Sequence, residues 1–203
     1  MKKSLYGLAL VLLLLGGAII VYWYVVSVTE TNETQTSGPA WMVRSYPQYG
    51  IAFSYPTSYE FMVEPPLAGE VTTLLETFVM YPATEYAAVR SGIVAGEWPP
   101  AIRVAVYKDP RSVQSELTGS AAHDLLAGFS IRDDISERTV QGIAGIEFLA
   151  DGLYLSDNII FAHEGFIFHI SAEWVNEDDD QRRDMAQLVS TLQLSLPVLL
   201  END

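Results

Sequence analysis

Asn158-Ile-Ile-Phe-Ala-His-Glu-Gly-Phe-Ile-Phe-His-Ile-Ser-Ala172 decides the fold. Two runs rich in β-branched and aromatic residues, Asn158–Ala162 and Phe166–Ala172, are joined by His163-Glu164-Gly165. A short joint ending in glycine between two such runs predicts a β-hairpin. A two-residue loop at Glu164-Gly165 pairs His163 with Phe166 and His169 with Ile160. The two histidines then lie on opposite faces of the sheet, because side chains alternate along a strand. A three-residue loop changes that parity.

Outward from the hairpin, Ile102 to Tyr107 alternates most cleanly. It puts Ile102, Val104 and Val106 on one face and is ended by Asp109-Pro110. Ile51–Tyr55, stopped by Pro56, and Thr77–Tyr81, stopped by Pro82, predict two further strands. Glu137–Gln141 and Ile146–Ala150 flank an expected turn region at Gly142/Gly145, and Glu85–Val94 is ambiguous. Ser120–Ala127 has helical spacing, with Gly128 as its stop. Beyond the hairpin, Met185, Leu188, Val189 and Leu192 recur at helical spacing within Gln181–Leu194. Acids at Glu177–Asp180 suit the positive end of that helix. The order predicts an α+β fold, an antiparallel β-sheet flanked by helices, with no internal repeat.

The first 28 residues have a different character. Lys2 and Lys3 precede Leu5–Val28, 24 residues without a charge. At about 1.5 Å per residue such a helix spans roughly 36 Å, enough for a hydrocarbon core of about 30 Å. Tyr22, Trp23 and Tyr24 suit the far interface. The expectation is an uncleaved transmembrane signal anchor over 1–28, with the N-terminus cytoplasmic and the bulk of the chain extracytoplasmic at the cell membrane. Cleavage near Gly17-Ala18 is the lesser alternative. Residues 29–40 (Thr29-Glu-Thr-Asn-Glu-Thr-Gln-Thr-Ser-Gly-Pro-Ala40) predict a polar tether, residues 41–196 the α+β domain, and residues 197–203 a tail.

Apolar residues make up 49% of the 203, and mean hydropathy is +0.18, both raised by the anchor. Net charge is −15; with Lys2 and Lys3 set aside, nine basic residues face 26 acids. Such a body repels phosphates and anionic headgroups, which argues against nucleic acid as a partner. The chain has no cysteine, so disulfides, thiolate metal sites and cysteine nucleophiles are excluded.

Tyr49-Gly50-Ile51-Ala52-Phe53-Ser54-Tyr55-Pro56 resembles the "YGFSFxYP" opening of PsbP-like domains, which have the Mog1/PsbP fold. Further along, Ala101–Tyr107 resembles the family's alternating central strand, and Thr139–Gly145 a strand entering a glycine turn. Phe166–Ala172 resembles its "G-x-x-Y-x-I" strand and Met185–Leu194 its closing helix. The similarity covers roughly residues 45–195. It implies an α/β/α sandwich of the bacterial membrane-anchored type and a non-catalytic role supporting a larger membrane or envelope complex, with an unidentified protein partner there. No metal-ligand motif of the family can be matched residue by residue.

The chemical inventory agrees with that implication. His123, His163 and His169 lack the spacing of a zinc site. Glu177-Asp178-Asp179-Asp180 lacks the interleaved turn glycine of a calcium loop. No G-x-S-x-G, S-x-x-K, Walker A or G-x-G-x-x-G is present. Lys108, the one lysine beyond the anchor, stands beside Asp109, and Ser120 with His123-Asp124 is only sequence adjacency. Trp98-Pro99-Pro100 and Pro65-Pro66 are rigid turns or, for the former, an aromatic binding ledge; Trp41 and Trp174 are core or rim residues. The expected function is a membrane-tethered, non-enzymatic binding or accessory domain, with no catalytic, cofactor or metal residues. The alternative is a ligand sensor or hydrolase with an unrecognised carboxylate site.

Overall fold

The structure, a computed structural model, describes residues 40–66, 73–92, 97–109 and 126–198. The expected anchor, all of the tether but Ala40, and the expected helix Ser120–Ala127 except its last two residues lie outside them. Among the described residues no helix is long and apolar enough to cross a membrane.

The elements run β1 (Trp41–Tyr46), β2 (Ile51–Pro56), β3 (Tyr59–Glu64), β4 (Leu74–Pro82), α1 (Ala83–Arg90), β5 (Ile102–Lys108), β6 (Ser130–Ile131), β7 (Ser136–Val140), β8 (Ile143–Asp151), β9 (Leu155–His163), β10 (Phe166–Trp174), α2 (Asp180–Thr191) and β11 (Gln193–Leu194). Eight strands form an antiparallel sheet in the order β3-β4-β5-β10-β9-β8-β6, with β7 also on β8. A second antiparallel sheet, β1-β2-β11, packs with α2 on one face of the first.

The hairpin β9–β10 has the two-residue loop. His163 pairs with Phe166 and His169 with Ile160. Glu164 and Gly165 both have positive φ, 48° and 84°, the type I′ geometry whose twist matches the strands it joins. β10 also pairs with β5, so the two most apolar strands lie together in the sheet. Alternation then separates two faces. Phe78, Ile102, Val104, Phe161, Phe168 and Ile170 point toward Phe53 of β2 and Met185, Leu188 and Val189 of α2. Burying each such side chain stabilises the fold by about 1.5–3 kcal/mol. On the other face Val79 and Tyr81 pack with Tyr86 of α1, and Phe148, Ile160 and Ile167 pack with Phe129 and Ile131.

Three local expectations change. Glu85–Val94 resolves in its first part, as the end of α1. Gly145 is not in the turn but inside β8, where a Cβ would stand 2.6 Å from the Ile160 carbonyl oxygen; the turn is Gln141-Gly142 alone. The closing helix stops at Thr191, and Gln193-Leu194 leaves it to pair with Ala52 and Ile51 of β2.

That last pairing is secured by a strap of chain after β11. The Ser195 N–H donates to the Gly50 carbonyl (2.9 Å) and the Val198 N–H to the Pro47 carbonyl (2.8 Å). Gly50 has φ +67°, and a Cβ there would meet the Ser195 carbonyl oxygen at 2.2 Å. The glycine within the Tyr49–Pro56 motif is therefore where the strap crosses β2's entry.

Candidate functional site

The N-terminal half of α2 stands between two open concavities. Before it, Asp179 turns its carboxylate back along the chain, and Oδ2 accepts from the N–H groups of Val175 (2.8 Å) and Asn176 (2.9 Å). Those backbone bonds hold its pKa below the usual carboxylate range. The acidic run Glu177–Asp180 is thus a structured turn as well as a helix start.

On one side a cleft of about 530 Å³ lies between α2 and strands β7–β9. Ion pairs span its walls. Arg182 holds Asp157 of β9 through two bonds, Nε to Oδ2 at 2.6 Å and Nη2 to Oδ1 at 3.2 Å. The same guanidinium lies 4.5 Å from the Trp174 ring centre. Across the cleft Arg138 pairs with Glu147 at 3.3 Å.

The other side holds a larger cleft of about 930 Å³, bordered by Pro82 and Glu85 near α1, Pro100, Val175 and the acids 178–180 and 184. Buried Asp184 accepts from the Tyr59 hydroxyl at 3.0 Å and pairs with Arg183, which also meets Asp180 at 2.8 Å. Burial, then the Asp184 charge and hydrogen bond, push the Tyr59 phenol far up.

Beside this cleft three aromatic rings form a cluster, each within 6.0 Å of the other two. Tyr81 of β4 and Tyr86 of α1 are buried with ring centres 5.2 Å apart. Trp98 lies on Tyr86 at 5.4 Å, with 22° between the planes, and is 50% exposed. The Tyr154 hydroxyl donates to the Trp98 carbonyl at 3.0 Å. Three residues on, the Ala101 N–H donates to Glu173 Oε2 at 3.2 Å, while Glu173 is paired with Arg103.

The histidines do not meet. His163 Nε2–H donates to the Ser195 carbonyl at 3.0 Å, on the strap side. His169 is buried on the opposite face, its ring edge-on to Phe129 at 5.2 Å. Its Nε2 bonds Asn158 Oδ1 at 2.9 Å; the Asn158 amide NH₂ donates to Ser156, so the imidazole is the donor. Burial first, and the Arg103 charge second, push its pKa down to about 4. His123, with Ser120 and Asp124, lies outside the described residues. Among the described residues no group of three His, Cys, Asp or Glu side chains is placed to hold a metal ion. Trp41 is half-buried and Trp174 buried at the end of β10, while Lys108 is exposed at the end of β5. Sequence reasoning named Trp98-Pro99-Pro100 but not the rings behind it or the Arg103–Glu173 pair. Alternation along β4 and β5 places Tyr81 and Arg103 on one face, the signal that could have found them.

No protein-family model matches the sequence, and no curated protein does. Solved structures match in shape. The solution structure of cyanobacterial PsbP (CyanoP) from Synechocystis is 10% identical, with a TM-score of 0.51 over 79% of this chain and 96% of that one. A crystal structure from Bacteroides thetaiotaomicron is 13% identical, with a TM-score of 0.47 over 75% of this chain and 48% of that one. The chain has a PsbP-like fold.

Proposed function

We propose that the chain is a membrane-tethered, extracytoplasmic, non-enzymatic accessory domain that supports a membrane or envelope complex through a protein partner. The observation that carries the reading is the PsbP-like fold, with open clefts whose most buried carboxylates are held by neighbouring side chains. A carboxylate catalyst needs an acid or base aimed at a reacting atom. Here Asp157 is held by Arg182, Glu147 by Arg138, and Asp184 by Tyr59 and Arg183. The membrane part of the proposal rests on Leu5–Val28, a charge-free run of spanning length behind two lysines.

Cross-linking the full-length protein in its own membranes, followed by purification in mild detergent, tests this reading. Residues 1–40 alone serve as the control, compared by quantitative mass spectrometry. A protein enriched only with the full chain is the expected result. Recovery no better than the control refutes a stable partner. Recovery of the full-length chain in the soluble fraction refutes the tether.

A further inference from the structure

Trp98 is a large apolar ring held half in water by several constraints. Pro99 and Pro100 stiffen the chain after it, and Tyr154 and Glu173 fix the backbone on either side. The ring packs on buried Tyr86, with buried Tyr81 6.0 Å away, yet Trp98 keeps 50% exposure. A rigid tryptophan anchored in this way is the side chain most often found at the energetic centre of a protein interface.

The surroundings give the occupant's charge. Glu97, Glu173 and Glu85 surround the Tyr154 phenol that bonds the Trp98 carbonyl, and after burial their charges push its pKa up. Glu173 is neutralised by Arg103. Glu85, Glu97 and Asp178 are in no ion pair among the described residues. Glu85 and Asp178 border the larger cleft, together with Pro100 and Val175, an apolar residue 60% exposed. The two tyrosines behind Trp98 each have a cation of their own, with Arg90 and Arg103 at 6.0 Å from the Tyr86 and Tyr81 ring centres. Trp98, the ring type that binds cations best, has none among the described residues.

We propose that Trp98 and the adjoining cleft bind a basic segment of a partner protein, with an arginine or lysine laid on the exposed part of the Trp98 ring and flanking cations meeting Glu85, Glu97 and Asp178. This names the partner's chemistry for the accessory reading above and rests on it. A neutral glycan could also stack on the ring, but it would leave three carboxylates without a counter-charge, so charge complementarity favours the basic peptide.

The test is fluorescence anisotropy of labelled hexa-arginine with the full-length chain in detergent at about 150 mM salt, where long-range attraction is screened. Trp98→Leu keeps an apolar side chain and removes the π face; it is expected to weaken binding by about fivefold to tenfold. Trp98→Phe retains a ring and should recover part of the loss. Glu85→Gln with Glu97→Gln should weaken binding and flatten its salt dependence. Thermal melting of each variant reports whether the fold survives. Binding unchanged by Trp98→Leu would overturn the site, leaving only general acidity. So would Trp98-dependent binding of cellohexaose in place of hexa-arginine. Two failures are distinguishable when the cross-linking is repeated with Trp98→Leu. A captured partner indifferent to that change sinks the site and keeps the accessory reading. Trp98-dependent peptide binding with no captured partner sinks the accessory reading and keeps the site.

Discussion

Replacing Gly50 by alanine separates two costs that usually travel together. The residue has φ +67°, where an L side chain costs about 1–2 kcal/mol. The added Cβ would also stand 2.2 Å from the Ser195 carbonyl oxygen and 3.2 Å from the Pro197 nitrogen, both backbone atoms that no rotamer change can move. The strap must therefore lift. Doing so gives up the bonds Ser195–Gly50, Val198–Pro47 and His163–Ser195, each worth about 1 kcal/mol. Partial relaxation keeps some of them, so the expected total is about 3–4 kcal/mol. For a domain of this size that lowers Tm by about 10 °C. Gly165→Ala is the internal reference: φ is +84°, but none of the described residues lies within 4 Å of its Cβ, so only the backbone cost of about 1 kcal/mol remains. The assay is thermal and urea unfolding of the full-length chain in detergent, followed by circular dichroism. Equal losses for the two variants would show that the strap does not bear on Gly50, and the reasoning would fail.

Two further outcomes follow from buried polar groups. His169 should stay neutral down to about pH 4 in the folded protein. The unfolded histidine takes its proton first, near pH 6.5, so this residue's contribution to stability is intact above that value. It is lost as pH falls toward 4, by roughly 3 kcal/mol in full. An NMR titration checks it, and a His169 midpoint near 6.5 would contradict the buried, hydrogen-bonded geometry. Glu173→Gln should cost about 2 kcal/mol, because it leaves the mostly buried Arg103 guanidinium without its counter-charge while the amide oxygen can still accept from Ala101. Denaturant unfolding measures that loss, and a change under about 0.5 kcal/mol would mean that solvent already satisfies Arg103.

What could be read in advance follows the strength of local signals. The β9–β10 hairpin, β5 and the core of α2 carry long apolar patterns of one period, and all three lie where those patterns put them. β3 escaped because it is an edge strand. Glu60 and Glu64 interrupt Tyr59-Glu-Phe-Met-Val-Glu64, and among the described residues only β4 pairs with it. α1 escaped because it buries a single residue, Tyr86, which leaves no stripe to detect. Gln193-Leu194 continues a helical pattern in sequence, yet the pairing with β2 overrides it. The aromatic ledge was visible only as an isolated Trp-Pro-Pro loop. Its meaning comes from Tyr81 of β4 and Tyr86 of α1, which meet the tryptophan through contacts that local spacing does not encode.

The strap has a consequence for how the chain is made. Residues 51–52 wait for 193–194, and Gly50 waits for Ser195, across almost the full length of the domain. A nascent chain emerging from its N-terminus has β1 and β2 long before their last partner exists, and contacts so distant in sequence are slow to close. Until residue 198 is out, β2 offers an open edge and the core lacks the cover of Leu194. A chain that ends just after α2 would have most of its secondary structure and an unclosed small sheet. Such a product differs from the finished domain at one place, so a chaperone or protease sampling exposed aromatic strands could sort complete chains from incomplete ones by that edge alone.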